Sequence, residues 1–171
     1  MGSTRFLAVE LDGQALLLDV RYIKEVTGPC DSMDVPHKSG ELEGVFLWNG
    51  KAIPLVSLGN FDNSEPRTLS TRRSAQRRKR TLIFHASGEW AGLAVDDATD
   101  IVDIESTQVL PARHNPGPYT TYEVDDGQII RPIVDLAALI SRVLDVSSHS
   151  HAGGGPLPSN AGSAGLFEGV E

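Results

Sequence analysis

The chain has 171 residues, of which 40% are hydrophobic and 22% charged, and its formal net charge is −8. That length holds one domain, or two small lobes sharing an interface, with enough apolar content for a core. The acidic balance disfavours nucleic acid as the main partner of the folded body. The lone cysteine, Cys30, excludes a disulfide framework and a cysteine metal cluster.

The opening MGSTRF runs into a strand pattern with no apolar signal region, and no stretch approaches the roughly twenty apolar residues needed to span a bilayer. A soluble, cytoplasmic protein is expected. Residues 6–11 and 15–20 read as strands around an Asp12-Gly13 turn, and residues 31–40, with Pro36, read as a connection. Residues 44–58, GVFLWNGKAIPLVSL, are the most informative stretch. Two apolar runs flank Asn49-Gly50, the strongest short hairpin signal, because both turn positions need positive φ. The arms are apolar on both faces, so the hairpin belongs inside a small β-barrel or against a partner. Pro54 cannot donate to a ladder, which predicts an edge or a bulge for the second arm. Trp48 and Phe46 read either as a partner anchor or as groups buried beneath other chain, and Trp90 reads as core.

Residues 61–80 are polar and read as an exposed linker. Seven of the fifteen Lys and Arg residues gather at its end: Arg67, Arg72, Arg73, Arg77, Arg78, Lys79 and Arg80. Strands are predicted at 82–85 and 90–95 around a Ser87-Gly88 turn, then at 99–104, where Ile101 is set apart from Val102 and Ile104. Residues 114–118, HNPGP, must be loop, and 119–134 form a last hairpin through Asp126-Gly127. Asp135 then caps a short helix with Leu136, Leu139, Ile140 and Val143 on one face. From Ser147 the composition predicts disorder. Within that tail Leu166, Phe167 and Val170 read either as a tethered peptide ligand or as a frayed end. The expected organisation is a first lobe at 1–62, a basic flexible linker at 63–80, a second lobe with the helix at 81–146, and a disordered tail at 147–171. Many short strands at regular spacing argue for barrels rather than βαβ units.

Gly44, Val45, Gly50, Pro54 and Leu58 fall where CheW-like coupling proteins of bacterial chemotaxis carry G-V-x-N-L-R-G-x-x-x-P-V-x-D-L, and the chain resembles that family. Residues 6–26, FLAVELDGQALLLDVRYIKEV, are similar to the family's opening hairpin, whose V-x-E-[IV] motif falls at Ile23, Glu25 and Val26. Residues 81–104, TLIFHASGEWAGLAVDDATDIVDI, are similar to its G-L-x-V-D-x-x-x-D-[VI] stretch. The resemblance implies an all-β fold of two five-stranded SH3-like β-barrels with a short C-terminal helix and a groove between the barrels. It also marks a divergent member: Asn49 stands for the motif arginine, Leu47 for its asparagine, and Ser57 for the aspartate before the last leucine.

The same resemblance implies that Ile23, Ile101 and Val26 flank a groove receiving a chemoreceptor's helical hairpin tip, by helix-in-groove docking. Read from the residues alone, Ile23 and Ile101 are equally ordinary barrel core. Glu25, Gly44, Trp48, Asn49, Gly50 and Ser57 are the implied contacts with kinase and receptor. Together these changes remove a guanidinium that binds carboxylates bidentately and, at Ser57, a possible partner for it; they read either as a turn improved for stability at Asn49-Gly50 or as a pairing lost as a unit because the partner surface differs. Arg72, Arg73, Arg77, Arg78, Lys79 and Arg80 are candidates for electrostatic docking on nucleic acid, an anionic surface, or an acidic face of a partner or of this chain itself. A plain solvated linker is the other reading, and no interleaved aromatics offer base stacking.

For catalysis the sequence holds no G-x-S-x-G, no phosphate-binding glycine loop, and no metal spacing around His85, His114, His149 or His151. Asp96, Asp97, Asp100 and Asp103 read as a solvated or ion-pairing face. No catalytic residue, cofactor or metal is therefore expected. The function implied is a non-enzymatic scaffold bridging a chemoreceptor (methyl-accepting chemotaxis protein) tip and the regulatory domain of a CheA-type histidine kinase, recruited to membrane-associated receptor arrays. Two alternatives remain. One is a divergent relative in a pilus or gliding system that binds receptor but not kinase. The other is a β-barrel binder of nucleic acid or anionic surfaces acting through residues 67–80.

Overall fold

The computed structural model describes residues 2–36, 40–58, 78–114 and 116–149. In chain order these form β1 (Ser3–Leu11), β2 (Gln14–Asp19), β3 (Ile23–Thr27), β4 (Leu42–Trp48), β5 (Lys51–Val56), β6 (Arg80–Ala86), β7 (Glu89–Val95), β8 (Asp97–Glu105), β9 (Val109–Pro111), β10 (Tyr122–Asp125), β11 (Ile130–Val134) and α1 (Leu136–His149). The three tight hairpins end in Asp12-Gly13, Asn49-Gly50 and Ser87-Gly88. Both residues of each pair have positive φ: 51° and 80°, 48° and 75°, and 53° and 80°. Such turns carry the twist of the flanking strands, and a short polar side chain before glycine tolerates the left-handed backbone they require.

One sheet has the order β8-β1-β2-β11-β10-β9 and the other β3-β6-β7-β5-β4. The lobes expected at 1–62 and 81–146 are therefore not the units that form. The hairpin β1–β2 pairs with the C-terminal strands, through antiparallel β8 and parallel β11, while β3 to β7 make the second sheet as an insertion. The reason lies in the faces of β1 and β2. Phe6, Ala8 and Leu17 join Ile104 and Val124 in one apolar cluster. Leu7, Val9, Leu11, Leu16 and Leu18 join a second, larger cluster with Leu82, Phe84, Leu93 and Val95 from the other sheet. A hairpin apolar on both faces needs partners on both.

Each sheet curls around its own interior. Val102 and Ile104 of β8 and Val109 of β9, from opposite edges of the six-stranded sheet, meet in one cluster, so that sheet is rolled into a barrel with β9 as a short sixth strand. The five-stranded sheet encloses Phe46, Ile53, Leu55, Ile83 and Ala94. Alternation along β6 and β7 sends Ile83 and Ala94 inward, and Leu82, Phe84, Leu93 and Val95 into the layer between the barrels. The helix seals that layer. Leu136, Leu139, Ile140 and Val143 are all buried in it, as the spacing predicted, and the Asp135 carboxylate accepts the Ala138 N–H at 3.0 Å. The helix runs to His149, past the expected boundary at 146.

Pro54 lies on an internal strand, not an edge, because β5 sits between β4 and β7; the expected bulge is present beside it, where the β4–β5 register shifts between Leu42 and Gly44, opposite Val56 and Leu55. Pro54 is tolerated for a local reason. Its partner across β4, Val45, turns both backbone groups away, to Met33, at 2.7 and 3.0 Å. The parallel ladder with β7 begins only at Leu55, so no hydrogen bond needs the missing N–H. Of the loop predicted at residues 114–118, the described residues (114 and 116–118) lie in no strand or helix apart from an isolated bridge between Gly117 and Thr120. The linker core and the tail from residue 150 lie outside the described residues.

Candidate docking faces and barrel mouths

Directly paired residues on neighbouring strands share a face of the sheet. Ile23 pairs with Phe84, Val26 with Leu82, and Ile101 with Leu7. All three partners belong to the layer between the barrels. Ile23, Val26 and Ile101 therefore stand on the seam-facing side of β3 and β8, which are edge strands of their sheets. Ile23 is half-buried against that layer, whereas Val26 is 44% and Ile101 57% exposed. An apolar side chain at the rim of a core, with open space beside it, is what a docking helix needs.

Between Ile23 and Glu25 the register shifts, and this bulge at Lys24 turns Glu25 to the opposite side, opposite Ile83 of the barrel interior. There its carboxylate accepts the Trp48 indole N–H at 3.2 Å. The contact spans the two outermost strands, β3 and β4, and so completes the five-stranded barrel. Trp48 stacks on Trp90 with centroids 4.8 Å apart, and Trp90 on His85 at 4.6 Å. These rings lie over the apolar interior and close that end of the barrel. Phe46 is buried and Trp48 half-buried. Trp90, read from sequence as core, is half-buried in the same stack.

The structure separates the other residues of this set. Asn49 and Gly50 form the turn beside Trp48, but Ser57 follows the far end of β5, roughly 20 Å away along an extended strand, where its N–H donates to the Glu41 carbonyl at 2.8 Å. A side chain at position 57 therefore cannot have partnered one at position 49. Gly44 serves packing. A Cβ there would lie 2.6 Å from the Met33 carbonyl oxygen, so the 32–33 segment can cross β4 only over glycine.

A family model for the CheW-like domain matches residues 5–144. The chain belongs to the CheW-like family. Comparison with curated proteins finds no match. Among solved structures the chain is similar to the scaffolding protein TtCheW from Thermoanaerobacter tengcongensis, with a TM-score of 0.64 and 20% identity, covering 79% of this chain and 90% of that one. At that identity the likeness is one of fold: two SH3-like β-barrels side by side.

The basic run enters this CheW-like fold at its last three residues; Arg72, Arg73 and Arg77 lie outside the described residues. Arg78 is consumed internally. Its side chain is 9% exposed and donates to Asp96 at 2.9 Å and to Asp12 at 3.2 Å. The Asp12 N–H donates in turn to Asp96 at 2.7 Å. This clamp ties the start of β6 to the β1–β2 turn and to the β7–β8 junction. Arg80 approaches Asp97 at 3.7 Å with both side chains half exposed, a weak surface pair, and the Lys79 N–H donates to the Val95 carbonyl. Two of the four acidic candidates are thus ion-paired. Among the described residues no three metal-ligating side chains converge, and no helix is long and apolar enough to cross a membrane.

The six-stranded barrel ends differently. Thr4, Phe6, Asp19, Tyr22, Val109, Tyr122 and Ile133 are among the residues lining a cleft of about 560 Å³ at its mouth. Phe6, Val109 and Ile133 belong to the barrel's own apolar cluster, while Tyr22 and Tyr122 are 37% and 53% exposed. Burial works against the Asp19 charge, yet the side chain and backbone N–H of Arg21 hold that carboxyl below its usual range. Sequence reasoning missed this cleft, because small or polar residues at strand ends carry no signal until the strands are assembled. It also missed Glu123, which is buried on β10. Burial opposes its charge too, but His114, through ring Nδ1 at 3.0 Å and its backbone N–H at 3.2 Å, holds the carboxyl below its usual range.

Proposed function

We propose that this chain is a non-enzymatic chemotaxis adaptor that couples chemoreceptor tips to a CheA-type histidine kinase, recruited to receptor arrays by those contacts. The observation that carries the reading is the pair of edge strands flanking the seam, with Val26 and Ile101 exposed on the seam-facing side. An amphipathic receptor helix laid along that seam would bury both residues at once. Signalling is then a bias transmitted through contacts, with no bond made or broken in the adaptor.

The test is a titration with the receptor's cytoplasmic hairpin tip and, separately, with the kinase regulatory domain. Ile101→Asp abolishes receptor binding while leaving the fold intact, since Ile101 is 57% exposed. Unchanged receptor affinity in that variant removes the groove assignment. A second reading, receptor binding without kinase coupling, is favoured by Asn49 in place of the motif arginine and by Glu25 being engaged by Trp48. Under the first reading Asn49→Arg strengthens kinase binding; under the second it changes nothing.

A further inference from the structure

We propose that the apolar cluster Leu166, Phe167 and Val170 of this chain docks into the open mouth of its own six-stranded barrel, with Phe167 against Phe6, Val109 and Ile133. The cleft is the right size for such an occupant. About 560 Å³ lies at the lower end of pockets that enclose small ligands, and an apolar floor under two half-exposed tyrosines suits a phenyl ring with flanking aliphatic groups. Between residues 150 and 171 the only other large apolar side chain is Leu157. The rest of that stretch is mostly Gly, Ser, Pro and Ala, so the cluster stands apart in the sequence as a discrete apolar ligand.

The tether has the right reach. Leu136, the first residue of α1, itself lines the cleft, and the helix is 14 residues long, so its end stands about 20 Å away. Seventeen residues separate His149 from Phe167. A Gly/Ser-rich chain of that length has an r.m.s. span of about 23 Å, close to the distance to be bridged, where effective concentration is greatest and on the order of millimolar. A contact far too weak to hold a free peptide would therefore stay largely occupied. The occupant would also touch Tyr22, which directly precedes Ile23, so docking is felt where β3 begins. The docking itself does not depend on the adaptor reading.

The experiment uses the full chain. A nitroxide is attached at Ser163→Cys in a Cys30→Ser background, and paramagnetic broadening of backbone amide signals is read by NMR. Signals of Thr4, Tyr22, Thr121 and Tyr122 should lose more than half their intensity relative to the reduced label, while Gly50 and Gly88 in the other barrel keep theirs. The loss should be unchanged on dilution, and Phe167→Ala should reverse most of it without altering the rest of the spectrum. Three results overturn the proposal: no selective loss, loss that fades on dilution (the cleft then takes a second copy), or loss that survives Phe167→Ala.

Discussion

In the five-stranded barrel, His85, Trp90 and Trp48 lie in a row over the interior, and the indole of Trp48 reaches across to Glu25 on the opposite edge. In the six-stranded barrel, the cleft above Phe6 and Ile133 is rimmed by Thr4, Asp19, Tyr22 and Tyr122. The two interiors are alike in chemistry: small apolar clusters of phenylalanine, leucine, isoleucine and alanine. What differs is where the aromatic rings lie. Trp48 and Trp90 pack down on the interior of their barrel, whereas Tyr22 and Tyr122 stand 37% and 53% exposed at the rim of theirs and leave the cleft between them accessible. The same scaffold thus yields one sealed barrel and one receptive barrel.

Four substitutions test that contrast, in decreasing size of effect. Leu139 is fully buried in the layer both barrels share, so Leu139→Ala should cost about 3 kcal/mol. If that layer makes one folding unit, urea unfolding followed by tryptophan fluorescence, which sees only the sealed barrel, will coincide with unfolding followed by circular dichroism. Separate transitions would make the barrels independent. Trp90→Ala removes the middle ring of the stack and should cost about 2 kcal/mol, less than full burial because the ring is half-exposed. It should also give the sealed barrel a mouth that binds a hydrophobic dye. Arg78→Ala leaves Asp12 and Asp96 without their cation, but both carboxylates still reach water, so it should cost about 1 kcal/mol, the upper end for solvent-accessible pairs, measured by thermal melting and moderated by salt.

The smallest effect is one of pH. The Glu123 carboxyl is held below its usual range in the fold. Its contribution is therefore complete above the unfolded value of about 4.3 and is lost as pH falls through the lower folded value. Glu123→Gln should flatten the acid limb of the stability profile without removing it, because Asp19 and Asp126 are depressed as well. An unchanged acid limb would show that His114 and Glu123 are not coupled in solution.

What could be read from the sequence was local. Asp12-Gly13, Asn49-Gly50 and Ser87-Gly88 dictate their own backbone, and the spacing of Leu136, Leu139, Ile140 and Val143 dictates a helix face, so turns and helix fell where expected. Strand partnership is not local. The unbroken apolar runs in β1 and β2 announce burial on both faces but do not name β8 and β11 as the partners, so the sequence divides most naturally at the linker and not at the two crossings between sheets. The candidate site was legible to the same degree. The seam positions follow from period-two alternation once the partners are known. The grouping of Asn49 with Ser57 came from a linear motif and dissolves because β5 holds them apart. The roles of Arg78 and Trp48 depend on carboxylates from distant parts of the chain, for which sequence spacing gives no signal.

The insertion of β3 to β7 into the other barrel means the chain passes between barrels twice, at Val20–Tyr22 and again at Asp96. Two covalent crossings and a shared apolar layer tie the barrels more firmly than a single thread would, and Arg78 pins the second crossing to the β1–β2 turn. A body held in this way passes a push on as a whole, so a load applied to one barrel is felt by the other through packed side chains.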